Sequence, residues 1–175
     1  MSPRSYAIRS ARTDDLTALQ AIEDLAGRQY GAVGIDPDLP GVAMETLSSA
    51  QASGLLWVMA DSQDEPVGFA LAWLRPGALH LRELDVLPTH GRRGLGARLV
   101  AHVATEAQRR GFPLVTLTTF TEAPWNAPYY ERLGFRRLAA EGLPEWLAAI
   151  RHEEASEGLD RWPRIAMALR IPACS

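Results

Sequence analysis

The sequence predicts an α/β fold in which a mixed β-sheet carries helices on both faces. Several short apolar strands come first, and the second half of the chain then alternates strand, helix, strand, helix and strand. The length of 175 residues, with 47% hydrophobic and 22% charged residues, is typical of one globular domain with a sizeable core. We expect that single domain to span residues 5–171.

The first half of the chain predicts three strands and two helices. Thr13 is a good N-cap, and apolar residues recur after it at helical spacing from Leu16 through Ile22. Residues 31–41 are rich in Gly, Pro and Asp, which predicts a loop. The predicted elements are a strand over 6–9, the helix after Thr13, a helix over 43–53, and strands over 55–60 and 67–74.

The second half of the chain predicts a long amphipathic helix between two strands. Its apolar stripe recurs every four residues from Leu95 to Ala107, and Gly111 ends it. Pro88 stops the strand that precedes it. The predicted elements are strands over 79–87, 114–120 and 164–171, and helices over 94–110, 127–133 and 143–154.

Composition excludes several classes of protein. The formal charge of −3 argues against a general nucleic-acid-binding protein, which is usually basic. The sequence has no lysine, so Schiff-base chemistry and a P-loop lysine are excluded. The only cysteine is Cys174, and the four histidines lack metal-site spacing, so we expect no disulfide and no metal. The apolar runs are too short to span a bilayer, so we expect a cytoplasmic protein without a membrane partner.

Residues 79–97 place a glycine-containing turn between a strand and the long helix. Over residues 91–97 the sequence reads Gly-Arg-Arg-Gly-Leu-Gly-Ala. Glycines let a ligand approach the backbone, and the first helical turn presents N–H groups and the positive end of the helix dipole. This arrangement is typical of a phosphate or pyrophosphate site. The alternatives are an ordinary tight turn with solvated arginines and a dinucleotide fingerprint, which would need a third glycine where Leu99 stands.

Two motifs within residues 79–137 resemble those of the GCN5-related N-acetyltransferase (GNAT) family, the acyl-CoA-dependent transferases. The family's pyrophosphate loop reads Gln/Arg-x-x-Gly-x-Gly/Ala, and Gly91-Arg92-Arg93-Gly94-Leu95-Gly96 lies on it, with Gly91 departing from the first position. The family's later Tyr-acidic-basic-Leu-Gly-Phe motif appears as Tyr130-Glu131-Arg132-Leu133-Gly134-Phe135. The resemblance implies the GNAT fold, with a mixed, mostly antiparallel sheet flanked by helices.

The resemblance also implies that acetyl-CoA is the co-substrate and that the loop binds its pyrophosphate. Val86 would bond the pantetheine arm through its backbone, as though that arm were another strand. Asn126 would hold the pantetheine, or it would instead N-cap the short helix that follows it. The residues expected to bind acetyl-CoA are Val86, Arg92, Arg93, Gly94, Leu95, Gly96, Ala97 and Asn126.

Two residues are the catalytic candidates. A phenol is protonated at neutral pH, so Tyr130 is a candidate acid for the departing thiolate, whereas a packing role is the alternative. Glu83 lies on the strand that leads into the loop and is a candidate base for the acceptor amine. Asp85 shares its face if the strand is regular, and pairing of either carboxylate with Arg82 is the alternative.

The predicted function is acetyl-CoA-dependent acetylation of a primary amine, on a small molecule or a peptide, by direct attack in a ternary complex. Asp36 and Asp38, in the first long loop, are further carboxylates for a cationic acceptor. A non-catalytic acyl-CoA-binding sensor or scaffold with the same fold is the alternative. The resemblance also allows a homodimer, although no feature of the sequence specifies one.

Overall fold

A computed structural model of the protein describes residues 5–173, so Cys174 lies outside the described residues. Within that range the chain forms seven strands and five α-helices. They are β1 (Ala7–Ser10), α1 (Leu16–Gly27), α2 (Met44–Ala52), β2 (Leu56–Ala60), β3 (Pro66–Arg75), β4 (Ala78–Val86), α3 (Leu95–Arg109), β5 (Leu114–Phe120), α4 (Ala127–Arg132), β6 (Arg136–Arg137), α5 (Glu145–Ser156) and β7 (Arg164–Arg170).

The strands form one sheet in the order β1-β2-β3-β4-β5-β7-β6. The pairs β1–β2, β2–β3, β5–β7 and β6–β7 are antiparallel. The pair β4–β5 is parallel, with Leu79 opposite Val115 and His80 opposite Thr116. The predicted mixed sheet with accompanying helices is therefore confirmed.

By its internal contacts the chain divides into two compact units, of which the first holds residues 5–73 and 81–103. All five residues of β2 are buried, as a strand covered on both faces requires. Leu19 of α1, Leu47 of α2 and Leu99 of α3 are fully buried and form part of the core of this unit. The apolar stripe predicted for α3 is thus the face that the helix buries.

The second unit holds residues 74–80 and 104–173. Its largest fully buried side chains include Leu117, Leu147 and Met167. His80 is also fully buried there, where its Nδ1 lies 3.0 Å from Thr116 Oγ1 and its ring packs edge-on against Trp146. The single domain expected over residues 5–171 stays a prediction.

The structure corrects two of the element predictions and adds one strand that was not predicted. Thr13 does not cap α1, because residues 13–15 form a 3₁₀ turn and the carboxylate of Asp15 accepts the N–H of Arg12 at 2.7 Å. The first residues of the predicted loop, 31–33, instead belong to a second 3₁₀ turn over Arg28–Val33, and the chain becomes irregular only after it. The two-residue strand β6 carries no sequence pattern of its own and forms because it pairs with β7.

Across residues 5–173, we find no helix that combines the length and the apolar character needed to cross a membrane.

Candidate active site

The C-terminal half of β4 brings two carboxylates to one face of the strand. The first half of β4 is buried, whereas residues 82–86 are partly exposed, although the Oδ2 atom of Asp85 is inaccessible to solvent. Glu83 and Asp85 are two positions apart, and alternate residues of a strand point to the same side. The structure brings a carboxylate oxygen of Glu83 to within 4.8 Å of one of Asp85. The regular face that the sequence analysis allowed for is therefore present.

A third carboxylate joins them from α1. One oxygen of Glu23 lies within 4.8 Å of an oxygen of both Glu83 and Asp85. We call these three residues the carboxylate cluster. The guanidinium of Arg82 reaches Glu83 Oε2 at 3.3 Å and lies over the ring of Trp73, 5.4 Å from its centroid. The alternative considered for Glu83, pairing with Arg82, therefore occurs, and the carboxylate of Glu83 also belongs to the cluster.

Burial and mutual repulsion shift the protonation of the cluster. Burial, together with the charge of Glu83, raises the pKa of Glu23 to about 7. Burial, followed by the charges of Glu83 and Glu23, holds the pKa of Asp85 well above its usual value. Near neutral pH, Glu23 is therefore poised between its two forms, and Asp85 holds its proton to a higher pH than an ordinary aspartate does. A carboxylate with a pKa near 7, such as that of Glu23, is able to accept a proton at neutral pH.

Sequence reasoning missed Glu23, although its position carried a signal. On α1, Leu19 and Ala26 are buried, and Glu23 stands four residues after the one and three before the other. Residues at those spacings lie on the same helix face. A glutamate on the apolar stripe of an amphipathic helix must find a polar environment, so its placement there pointed to a site.

The backbone of β4 closely approaches β3 beside the cluster. A Cβ atom added to Gly68 would lie 2.7 Å from the carbonyl oxygen of Asp85 and 3.1 Å from Cγ2 of Val86. The N–H of Leu87 then donates to Val67 at 2.9 Å. Only glycine permits this approach, which fixes the end of β4 where Val86 is expected to meet the pantetheine arm.

The predicted turn connects β4 to α3 with two residues in the left-handed region. Arg92 has a φ of +58° and Gly94 a φ of +74°. The first helical hydrogen bond observed runs from the N–H of Arg98 to the carbonyl of Gly94 at 3.0 Å. The N–H groups of Leu95, Gly96 and Ala97 precede that bond and belong to the helix N-terminus. The turn thus opens a helix of 15 residues, with the local geometry that anion binding needs.

The arginines of the turn differ in their contacts. Arg92 and Arg93 are exposed, and Nη1 of Arg93 lies 3.4 Å from the hydroxyl of Tyr6. Nη2 of Arg98 donates to the carbonyl of Tyr6 at 2.8 Å. Tyr6, directly before β1, is therefore held against the start of α3. The expected contact of Arg92 and Arg93 with a pyrophosphate stays a prediction.

Tyr130 and Asn126 lie in the second unit, on and just before α4. The ring of Tyr130 is half-buried and packs edge-on against Tyr129 and Phe135, with centroids 5.6 and 5.5 Å away. The backbone carbonyl of Tyr130 accepts the N–H of Phe135 at 3.0 Å, so the turn after α4 also restrains Tyr130. Asn126 is at the N-cap position, but its side chain makes no capping bond and donates instead to Thr119 Oγ1 at 2.7 Å. The capping alternative is therefore wrong for its side chain.

The remaining polar candidates have local roles. Asp36 Oδ1 accepts the N–H of Asp38 at 2.9 Å, which forms a turn in the exposed loop. Neither residue belongs to the carboxylate cluster. His90 is placed at the turn, where its Nδ1 lies 3.1 Å from Thr89 Oγ1 and its ring meets Tyr6 edge-on. The absence of a metal remains an expectation.

A family model matches the chain over residues 19–135, that of the Acetyltransferase (GNAT) family. This range covers both motifs of the sequence analysis, as well as Glu23, Glu83 and Asp85. It therefore joins the glycine turn and the carboxylate cluster within one family domain.

Solved structures share the fold. N-acetylglutamate synthase from Neisseria gonorrhoeae, complexed with coenzyme A and N-acetyl-glutamate, matches with a TM-score of 0.73 and 21% identity over 98% of this chain and 36% of that one. This chain thus spans about a third of the length of that synthase. The ribosomal-protein-S18-alanine N-acetyltransferase from Escherichia coli matches with a TM-score of 0.69 and 24% identity, covering 98% of this chain and 97% of that one. PaiA N-acetyltransferase from Thermoplasma acidophilum, in complex with coenzyme A, matches with a TM-score of 0.70 and 13% identity, covering 95% of this chain and 99% of that one. At these identities, the likeness establishes the fold.

Proposed function

Because the chain belongs to the GNAT acetyltransferase family, we propose that it transfers the acetyl group of acetyl-CoA to a primary amine by direct attack in a ternary complex. One observation carries the proposal: a strand that bears two carboxylates, Glu83 and Asp85, runs directly into the glycine turn that opens α3. This places groups suited to an amine next to an N-terminus suited to a pyrophosphate. The neighbours solved with coenzyme A support the choice of co-substrate.

Acetyl-CoA is held by the turn and by the end of β4. The N–H groups of Leu95, Gly96 and Ala97 receive the pyrophosphate, and the dipole of α3 adds to their attraction. Gly94 gives the turn its shape, and Arg92 and Arg93 contribute positive charge from the surface. Val86 bonds the pantetheine arm through its backbone, and Asn126 is a further contact.

Glu83 acts at the amine. An aliphatic amine is mostly protonated at neutral pH and must lose a proton before its lone pair is available to attack the thioester carbonyl. Glu83 receives that proton directly or through a water, with Asp85 and Glu23 beside it in the cluster. The N–C bond then forms, the C–S bond breaks, and the products are the amide and coenzyme A.

Tyr130 acts at sulfur. The thiolate of coenzyme A leaves as the C–S bond breaks, and a phenol that is protonated at neutral pH is able to donate to it. Packing against Tyr129 and Phe135 restricts the ring, which favours a fixed position for the hydroxyl.

Coenzyme A release with a panel of primary amines tests the proposal. Tyr130→Phe is expected to lower kcat by about a hundredfold or more, the range typical of a lost acid, with little change in the KM for acetyl-CoA. Tyr129→Phe is the matched control, because Tyr129 packs against the same ring. Equal rates in wild type and Tyr130→Phe would remove Tyr130 from the chemistry. Tight binding of acetyl-CoA without turnover of any amine would instead favour a sensor or scaffold.

A further inference from the structure

The carboxylate cluster concentrates negative charge in a small space. Oxygens of Glu23, Glu83 and Asp85 all lie within 4.8 Å of one another. The contact that Glu23 makes with Val42 is to an uncharged backbone N–H, so it does not offset this charge. Arg82 offsets part of it at Glu83. Like charges at such distances repel, and the arrangement is stable only with protons or with cations beside it.

A buried oxygen of Asp85 provides a second and independent observation. Oδ2 of Asp85 is inaccessible to solvent, and no group among residues 5–173 makes a hydrogen bond to it. A buried polar atom without a partner is costly and is rare in folded proteins. Its carboxyl belongs to the cluster, so a donor that enters the cluster would satisfy it.

We propose that the carboxylate cluster, with Glu23 as its third member, binds a positively charged group of the acceptor, so that the enzyme selects cationic amines and rejects acidic ones. This inference rests on the proposed function and names the substrate class of the same site. Two of its members lie on β4, one and three residues before Val86. A cation held there is therefore beside the expected end of the pantetheine arm.

The charge that the cluster recognises belongs to a group other than the reacting amine. The reacting nitrogen must be neutral when it attacks, so its own positive charge does not persist through the reaction. A second ammonium or guanidinium keeps its charge throughout and continues to pair with the carboxylates. An acceptor that carries a carboxylate instead would bring a further negative charge to a cluster that already favours protons or cations. Di- and polyamines and other amines with a basic end group fit this requirement.

Three acceptors that share an alkylamine chain test the inference. Cadaverine has an ammonium at its far end, pentylamine has no end group, and 6-aminohexanoate has a carboxylate. We expect kcat/KM to fall in that order in the wild type. Glu23→Gln is expected to reduce the preference for cadaverine over 6-aminohexanoate by about tenfold, which corresponds to one lost charged contact, with an unchanged KM for acetyl-CoA.

Glu23→Gln separates charge from structure, because the amide oxygen still accepts the N–H of Val42. Asp24→Asn is the matched control: it removes one carboxylate from the exposed neighbouring position on α1, outside the cluster, and is expected to keep the wild-type preference. Asp85→Asn provides a second neutralised member should Glu23→Gln melt at a much lower temperature than the wild type.

The outcomes distinguish this inference from the proposed function. Turnover with no dependence on the end group, or equal effects of Glu23→Gln and Asp24→Asn, would overturn the inference and leave the acetyltransferase in place. If no amine is acetylated, calorimetry with cadaverine decides: binding that Glu23→Gln abolishes supports the cation site without the activity, and no binding overturns both. Activity that requires Mg²⁺ or Ca²⁺, and loses this requirement in Glu23→Gln, would also overturn the inference.

Discussion

The backbone N–H of Val42 lies 2.9 Å from Oε1 and 3.0 Å from Oε2 of Glu23. This bond fastens the loop after residue 33 to α1 and orients the carboxylate at the same time. Gly41 also lies beside this carboxylate, since a Cβ added there would be 3.0 Å from Oε2 of Glu23. Glu23 therefore has two roles, as the acceptor that holds the loop and as a member of the carboxylate cluster. Accepting the N–H of Val42 does not require a charge on Glu23, whereas its effect within the cluster depends on that charge.

That difference predicts how stability depends on pH. The pKa of Glu23 is raised to about 7 in the folded protein, above its value in an unfolded chain, so the folded state holds the proton more tightly. Raising the pH from 5 to 8 should therefore lower the free energy of unfolding. Glu23→Gln should remove part of this loss of stability. The expected gain is only on the order of 1 kcal/mol at pH 8, because solvent screens a partly exposed group.

Urea unfolding of both proteins at pH 5 and pH 8 measures this difference. The two proteins should be close in stability at pH 5, where Glu23 is protonated and neutral like glutamine. Glu23→Ala should be less stable than either at both values, because it also loses the acceptor for Val42. A wild type that becomes more stable between pH 5 and pH 8 would contradict the assignment of the raised pKa.

Gly68 makes a prediction about the close approach of β3 and β4. A Cβ at this position would lie 2.7 Å from the backbone oxygen of Asp85, which cannot move as a flexible side chain can. We expect Gly68→Ala to cost about 1–3 kcal/mol, the range of an overpacked core, and to raise the KM for acetyl-CoA because β4 is displaced at Val86. Gly142→Ala is the control, since nothing lies within 4 Å of its Cβ position. Equal melting temperatures for the two variants would show that β4 yields at no cost.

Most of the fold was predictable because strong periodic patterns determined it. The stripe from Leu95 to Ala107 placed α3 within one residue of its ends, and the run of β-branched and apolar residues placed β5 over residues 114–120. One error came where a distant partner decides the structure, because Arg136 and Arg137 form a strand only through pairing with β7. The error at Thr13 has a local cause: the carboxylate of Asp15 accepts the N–H of Arg12 in the turn before α1.

The candidate site was predictable only along one stretch of the chain. Glu83 and Asp85 were predicted because they lie on the strand that leads into the glycine turn. That these two side chains lie close to each other follows from strand geometry alone. Glu23 is 60 residues from Glu83 in the sequence. Its proximity to Glu83 and Asp85 depends on how α1 packs, which the periodicity of the sequence does not specify. The raised pKa of Asp85 likewise depends on burial that only the folded structure provides.

Glu154 predicts a second dependence on pH, with the opposite sign. Burial raises the pKa of Glu154. The opposing effect of Arg164, Thr118 and Arg151 is larger, so the pKa lies below its usual value. The stabilisation that ionised Glu154 gives the folded state is therefore present at neutral pH. It is lost as the pH falls through that lowered pKa. Glu154→Gln should cost about 2–4 kcal/mol at pH 7, since it removes the carboxylate that pairs with the partly buried Arg164 and Arg151, and the difference from wild type should shrink toward pH 3. Thermal unfolding across that range, with the exposed Glu153→Gln as control, measures it.

Gly94 and Gly77 provide a matched pair that separates backbone strain from ligand binding. Their φ angles are +74° and +73°, and a Cβ at either would meet nothing within 4 Å. Replacing either glycine with alanine should therefore lower the free energy of unfolding by about 1 kcal/mol, because of the left-handed backbone conformation alone. Only Gly94 shapes the turn that opens α3, so we expect Gly94→Ala to raise the KM for acetyl-CoA several-fold and Gly77→Ala to leave it unchanged. A similar rise in both variants would mean that acetyl-CoA binding follows overall stability, because the turn at Gly77 has no part in the proposed pyrophosphate site.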